Sequence, residues 1–147
     1  MTSSTGSKTP GVDKELWRTS KQKIEAVSNL KRHGYTSLPL RRIYIPKKSG
    51  NKAMRPLSIP AIKDRAMQAL WYAALLPIAE NRADKNAYGF RPKRSTHDAI
   101  AQCFYALAGN TKATVVLEGD IKSCFSSISH EWLEDNIPMD KIILKPQ

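Results

Sequence analysis

Between residues 42 and 60 the sequence alternates apolar and other side chains in two short runs, Arg42-Ile43-Tyr44-Ile45-Pro46 and Arg55-Pro56-Leu57-Ser58-Ile59-Pro60. Successive strand side chains leave on opposite faces, so a period of two predicts strands. The intervening Lys47-Lys48-Ser49-Gly50-Asn51-Lys52 is a basic turn with a permissive glycine, which predicts that the two strands pair. The period then changes. From Ile62 to about Glu80, residues Met67, Leu70, Trp71, Ala74, Leu75 and Ile78 recur at the spacing of a core-facing helix. Pro77 is expected to bend its last turn or end it early.

Cap signals place the other elements. Thr19-Ser20-Lys21-Gln22 fits a capping box opening a helix with Ile24, Val27 and Leu30 on one side, stopped near Gly34. Ser95-Thr96-His97-Asp98 caps another, whose buried side would be Ala99, Ile100, Cys103, Phe104 and Leu107, closing near Gly109. The β-branched run Thr114-Val115-Val116-Leu117 predicts a strand that delivers Asp120 to its carboxyl end. Ser129 is placed to cap a last helix through Glu131-Trp132-Leu133. No internal repeat is present. Both periods in one chain predict an α+β domain.

Twenty-four Lys and Arg against 13 Asp and Glu give a net charge of +11. Such a surplus favours a polyanionic partner, because each cation placed at a phosphate releases condensed counterions. The two cysteines, Cys103 and Cys124, sit in apolar patterns and are expected to be buried, reduced thiols, consistent with the cytoplasm. The polar start of the chain offers no signal-peptide core, and no apolar run approaches a membrane span. No membrane partner is expected.

Chemistry concentrates in Leu117-Glu118-Gly119-Asp120-Ile121-Lys122-Ser123-Cys124-Phe125-Ser126-Ser127-Ile128-Ser129-His130. A strand that ends in an aspartate before a tight turn can hold a carboxylate for Mg²⁺, which takes hard oxygen ligands. Nucleotidyl transfer uses two such ions. On spacing alone, an aspartate in this place is more often a turn or cap residue.

The segment resembles the first catalytic motif of group II intron-type reverse transcriptases, a pattern close to L-x-G-D-I-x-x-C-F-D-x-I-x-H. Three further segments resemble motifs of that family in the same order. Thr9-Pro10-Gly11-Val12-Asp13 is similar to the loop before the fingers. The two alternating runs, with Asp64-Arg65-Ala66-Met67-Gln68, resemble the fingers motif. Ala87-Tyr88-Gly89-Phe90-Arg91-Pro92-Lys93-Arg94-Ser95, with His97-Asp98-Ala99-Ile100, resembles the next one.

The resemblance implies a fingers subdomain and the first strand and helix of a right-hand palm. A loop segment over residues 1–18, fingers over 19–111 and the start of the palm over 112–147 follow from it. Asp120 would bind two Mg²⁺ ions, with the carbonyl of Ile121 as a further ligand. Phe125 matches the aromatic gate beneath the incoming nucleotide's sugar, or is a plain core residue. Arg55 matches the arginine that grips the triphosphate of a deoxynucleoside triphosphate, where a planar fork suits phosphate oxygens. Lys47 or Lys48 would be a second triphosphate contact, or part of an exposed basic hairpin. Tyr88, Phe90 and Arg91 suit stacking on bases and holding phosphate, though either ring could instead anchor its loop. Lys93 and Arg94 would contact backbone, or be solvated. His97 and His130 read as helix-start residues and Glu118 as structural.

The implied partners are an intron or template RNA and a DNA primer. Departures from the pattern matter too. Ser126 stands where the family has Asp or Asn, and Lys14 where it has Gly. The sequence contains no Tyr/Phe-x-Asp-Asp, the pair that supplies the remaining metal carboxylates. The expectation is therefore an amino-terminal fragment of an RNA-directed DNA polymerase, inactive alone. The alternatives are a split enzyme completed by a carboxy-terminal polypeptide, or a basic RNA-binding module without chemistry.

Overall fold

The computed structural model describes residues 5–31, 33–46, 54–109 and 113–139. Its elements are α1 (Ser20–Asn29), β1 (Arg41–Pro46), β2 (Met54–Ile59), α2 (Ile62–Arg82), α3 (Thr96–Leu107) and α4 (His130–Asn136), with 3-10 turns at Thr5–Lys8 and Cys124–Ser126. This mixture of helices with a two-stranded antiparallel sheet is α+β, as expected. The chain divides into two compact units, Met1–Ala74 with Ser129–Gln147, and Leu75–Ile128.

In the first unit the strands pair in the register Arg41 opposite Ile59 to Pro46 opposite Met54. Both alternating runs are therefore strands, and Lys47 and Lys48 lie outside the described residues. The strand-to-helix junction forms a small core of Tyr35, Ile59, Ala61, Ile62 and Met67, with Met67 only 2% exposed. Burying such side chains stabilises by about 1.5–3 kcal/mol each.

Two polar side chains hold this core together. Asp64, 5% exposed, accepts a hydrogen bond from the Tyr35 hydroxyl and another from the Leu38 amide at 3.2 Å. Arg65 donates to the carbonyls of Pro60 at 3.0 Å, Gly6 at 2.6 Å and Thr9 at 2.5 Å, which anchors the amino-terminal loop to the start of α2. A Cβ on Gly11 would lie 2.5 Å from the Ala61 Cα, so only glycine lets the loop approach this closely. Lys14 follows with φ +59, where the family pattern has glycine. A left-handed conformation costs a residue with a Cβ roughly 1–2 kcal/mol.

The capping signals act as read. Thr19 and Gln22 form the reciprocal capping box of α1, Ser95 and Asp98 that of α3, and Ser129 accepts from the Trp132 amide at the start of α4. Ser95 holds the Asp98 carboxyl below the usual carboxylate range by donating to it. His97 and His130 occupy first helical turns. Helix α1 ends at Asn29, before the predicted stop, and α2 runs through Pro77 to Arg82. A proline removes one amide donor but need not end a helix whose remaining bonds persist.

Three expectations need correction. Residues 114–117 are not a strand. Strand backbone needs a ladder partner, and among the described residues the only sheet pairing is β1 with β2. Second, the apolar face of α3 is uncovered: Ile100, Phe104 and Leu107 are exposed, as are Ile24 and Val27 of α1. Third, Cys103 and Cys124 are exposed free thiols, because the apolar surface around them has no cover. None of the described residues of the second unit is buried.

Candidate functional site

The second unit contains a loop that connects α2 to α3, and its two arginines are committed internally. Arg91 Nε and Nη2 donate to the two carboxylate oxygens of Glu80, at 3.0 and 2.6 Å. Its Nη1 donates to the carbonyls of Asp84 at 2.6 Å and Ala87 at 3.3 Å, and Nη2 reaches the Glu80 carbonyl at 3.4 Å. A planar fork with five donors suits this bidentate pairing as an ammonium would not. The ion pair holds the Glu80 carboxyl below the usual carboxylate range and raises the Arg91 guanidinium. Arg94 donates to the carbonyls of Lys85 and Ala87 and lies over the Tyr88 ring, 5.4 Å from its centroid. Tyr88 thus contacts an arginine of its own loop rather than the buried core.

Phe90 does the opposite. It is as exposed as in an extended chain, at 106%, and its φ is +60. Lys93, also exposed, has φ +58. Two non-glycine residues in the left-handed region each cost of order 1–3 kcal/mol, and such conformations persist where surrounding bonds over-determine them. The bonds of Arg91 and Arg94 do this here. The result is an exposed aromatic ring and an exposed lysine presented by a braced loop.

Asp120 stands in an exposed, irregular segment in the same unit. Ser123 then turns the chain with φ +54, and the amides of Ser126 and Ser127 donate back to its carbonyl at 2.9 and 3.1 Å. This turn carries Phe125, 87% exposed, and follows the exposed Ile121. The plain-core reading of Phe125 does not describe it. Among the described residues no group of three His, Cys, Asp or Glu is placed to hold a metal ion. One carboxylate does not make a two-ion site, so the donor set here does not by itself fit a Mg²⁺ pair.

Arg55 is exposed on β2 in the first unit, opposite Ile45. The structure therefore places Tyr88, Phe90, Arg91, Lys93 and Arg94 in one loop, Asp120 and Ile121 in an irregular segment just before the turn that carries Phe125, and Arg55 on β2. Sequence reasoning missed Glu80. Its signal was an acid in the last turns of a helix, eleven residues before an arginine. Helix periodicity does not report that distance. Among the described residues no helix is long and apolar enough to cross a membrane.

Comparison with known proteins gives this arrangement a family. Residues 45–143 match the reverse transcriptase (RNA-dependent DNA polymerase) family. The chain belongs to the reverse transcriptases. It is 41% identical over 139 residues to protein YkfC of Escherichia coli, a match covering 89% of this chain and 36% of that protein. It is 38% identical over 133 residues to group II intron-encoded protein LtrA of Lactococcus lactis, covering 89% of this chain and 22% of LtrA. A 91 kDa protein in the cob intron of Schizosaccharomyces pombe is 39% identical over 107 residues, covering 73% and 13% respectively. This reverse transcriptase chain thus spans about a third or less of the length of these relatives. The family match takes in the last two residues of β1, all of β2, the braced loop and Asp120, while the Gly11 loop, α1 and most of β1 precede it.

Proposed function

We propose that the chain is the nucleic-acid-gripping fingers region, with the start of the palm, of a group II intron-type RNA-directed DNA polymerase. The observation that carries this reading is the order of four family motifs along one chain, ending in the segment that contains Gly119-Asp120-Ile121. In this reading the exposed ring of Phe90 stacks on a base of the template or intron RNA, and the Lys93 ammonium binds its backbone. Tyr88 and Arg94 shape the loop between them. Arg55, with Lys47 or Lys48, grips the triphosphate of an incoming deoxynucleotide, and Phe125 lies beneath its sugar. Asp120, with the Ile121 carbonyl, is this chain's contribution to a Mg²⁺ site whose other carboxylates come from residues outside those described. The metal would supply charge stabilisation at the transferred phosphoryl group. The chain's own residues bind and orient the substrates.

The uncovered apolar face of α3 and the exposed residues Val115, Val116 and Leu117 favour completion by further polypeptide. A basic RNA-binding module without chemistry is the reading left if completion adds no activity. The test is primer extension on an RNA template, with the chain mixed with a carboxy-terminal reverse transcriptase polypeptide that carries the paired aspartates. The expected result is extension by the mixture, reduced about a hundredfold or more by Asp120→Ala, the scale of losing one transition-state interaction of several kcal/mol. Extension indifferent to that substitution sinks the assignment of Asp120.

A further inference from the structure

We infer that Glu80 is a positioning residue for nucleic-acid binding: it locks Arg91, and through Arg91 the left-handed backbone on which Phe90 is held out to stack on an unpaired base. The inference rests on the reading of Phe90 given above and adds a residue and a division of labour to it. Arg91 donates five hydrogen bonds, two to the Glu80 carboxylate, one to its carbonyl and two to loop carbonyls. Its side chain is 10% exposed against 35% for Glu80. A guanidinium so engaged has no donor to spare for a phosphate. Phe90, its neighbour, has φ +60 and touches nothing that would hold its ring. The conformation of Phe90 is therefore fixed by bonds made one residue away. Because the backbone that carries the ring is preorganised, the backbone part of the ordering cost on binding is already met in the free protein.

This division of labour fixes the sign of an experiment. Removing a negative charge from a surface that binds a polyanion strengthens binding on electrostatics alone. Removing Glu80 as a clamp weakens it. The test uses the full chain, a single-stranded RNA oligonucleotide with one 2-aminopurine, and the variants Phe90→Ala, Glu80→Gln, Arg91→Lys and the double variant Phe90→Ala/Glu80→Gln. Phe90→Ala is expected to lower affinity about tenfold, the scale of one stacked base, and to abolish the fluorescence quench. Glu80→Gln is expected to do nearly the same although Phe90 is present. Arg91→Lys should also do so although the charge is kept. None of the three should change the salt dependence of binding, since no phosphate contact is lost. The double variant should be no worse than Phe90→Ala, which separates loss of the clamp from loss of the fold.

Equal or tighter binding by Glu80→Gln, with Phe90→Ala still impaired, overturns the clamp and leaves the stacking role standing. A shallower salt dependence in Arg91→Lys overturns the clamp as well. Phe90→Ala binding and quenching like the unaltered chain overturns the stacking reading itself.

Discussion

Asp64 satisfies the Tyr35 hydroxyl and the Leu38 amide from inside the small core of the first unit. Burial, and then the bond to Asp64, raise the Tyr35 phenol above its ordinary value. A raised folded-state value favours the protonated form in the fold. Its contribution is fully present below about pH 10, the ordinary tyrosine value, and is lost as pH rises beyond it. Denaturant midpoints measured from pH 8 to 11 should fall above about pH 10, and fall less in Tyr35→Phe. Asp64→Ala, which leaves the buried hydroxyl and amide without an acceptor, should cost about 1–3 kcal/mol per orphaned group. An equal alkaline fall in Tyr35→Phe contradicts this. The sequence displayed some of these residues and concealed others. Ser95 and Thr19 were legible because a cap is written in four consecutive residues. Lys14 was visible as a departure from a glycine position, and its φ of +59 explains why that position favours glycine. The roles of Asp64, Arg65 and Glu80 were not legible, since their partners lie elsewhere in the chain and no local period records them.

Among the elements, strand and helix periods located the hairpin and α2, but of the predicted core face of α2 only Met67 is buried, while Leu70, Ala74 and Ile78 are exposed. The same kind of pattern misled for residues 114–117 and for the buried side of α3. Apolar spacing tells which face an element would bury, and says nothing of whether the covering surface is present. This gives an expected contrast between two helices. Met67→Ala in α2 should cost about 2–5 kcal/mol in a denaturation experiment, as large-to-small changes in a core do. Phe104→Glu in α3, on an exposed face, should change stability by no more than about 0.5 kcal/mol. A loss in Phe104→Glu comparable to that in Met67→Ala would show that the α3 face is covered after all.

For the molecule as a whole, the net charge of +11 favours a polyanionic partner. Its family followed from the order of its motifs and is shown by the match over residues 45–143. The absence of a Tyr/Phe-x-Asp-Asp sequence was equally legible. A single motif carries one carboxylate, and the geometry that joins several carboxylates is built by elements far apart in sequence. In the proposed function, nucleic-acid binding is what this chain's own residues supply, and salt dependence tests it most directly. With purified chain and single-stranded RNA, the logarithm of affinity should fall linearly with the logarithm of salt concentration. About four phosphate contacts, from Arg55, Lys93 and the lysines of the hairpin, give a slope of roughly −3. Binding that is absent at low salt, or indifferent to salt, would contradict the account.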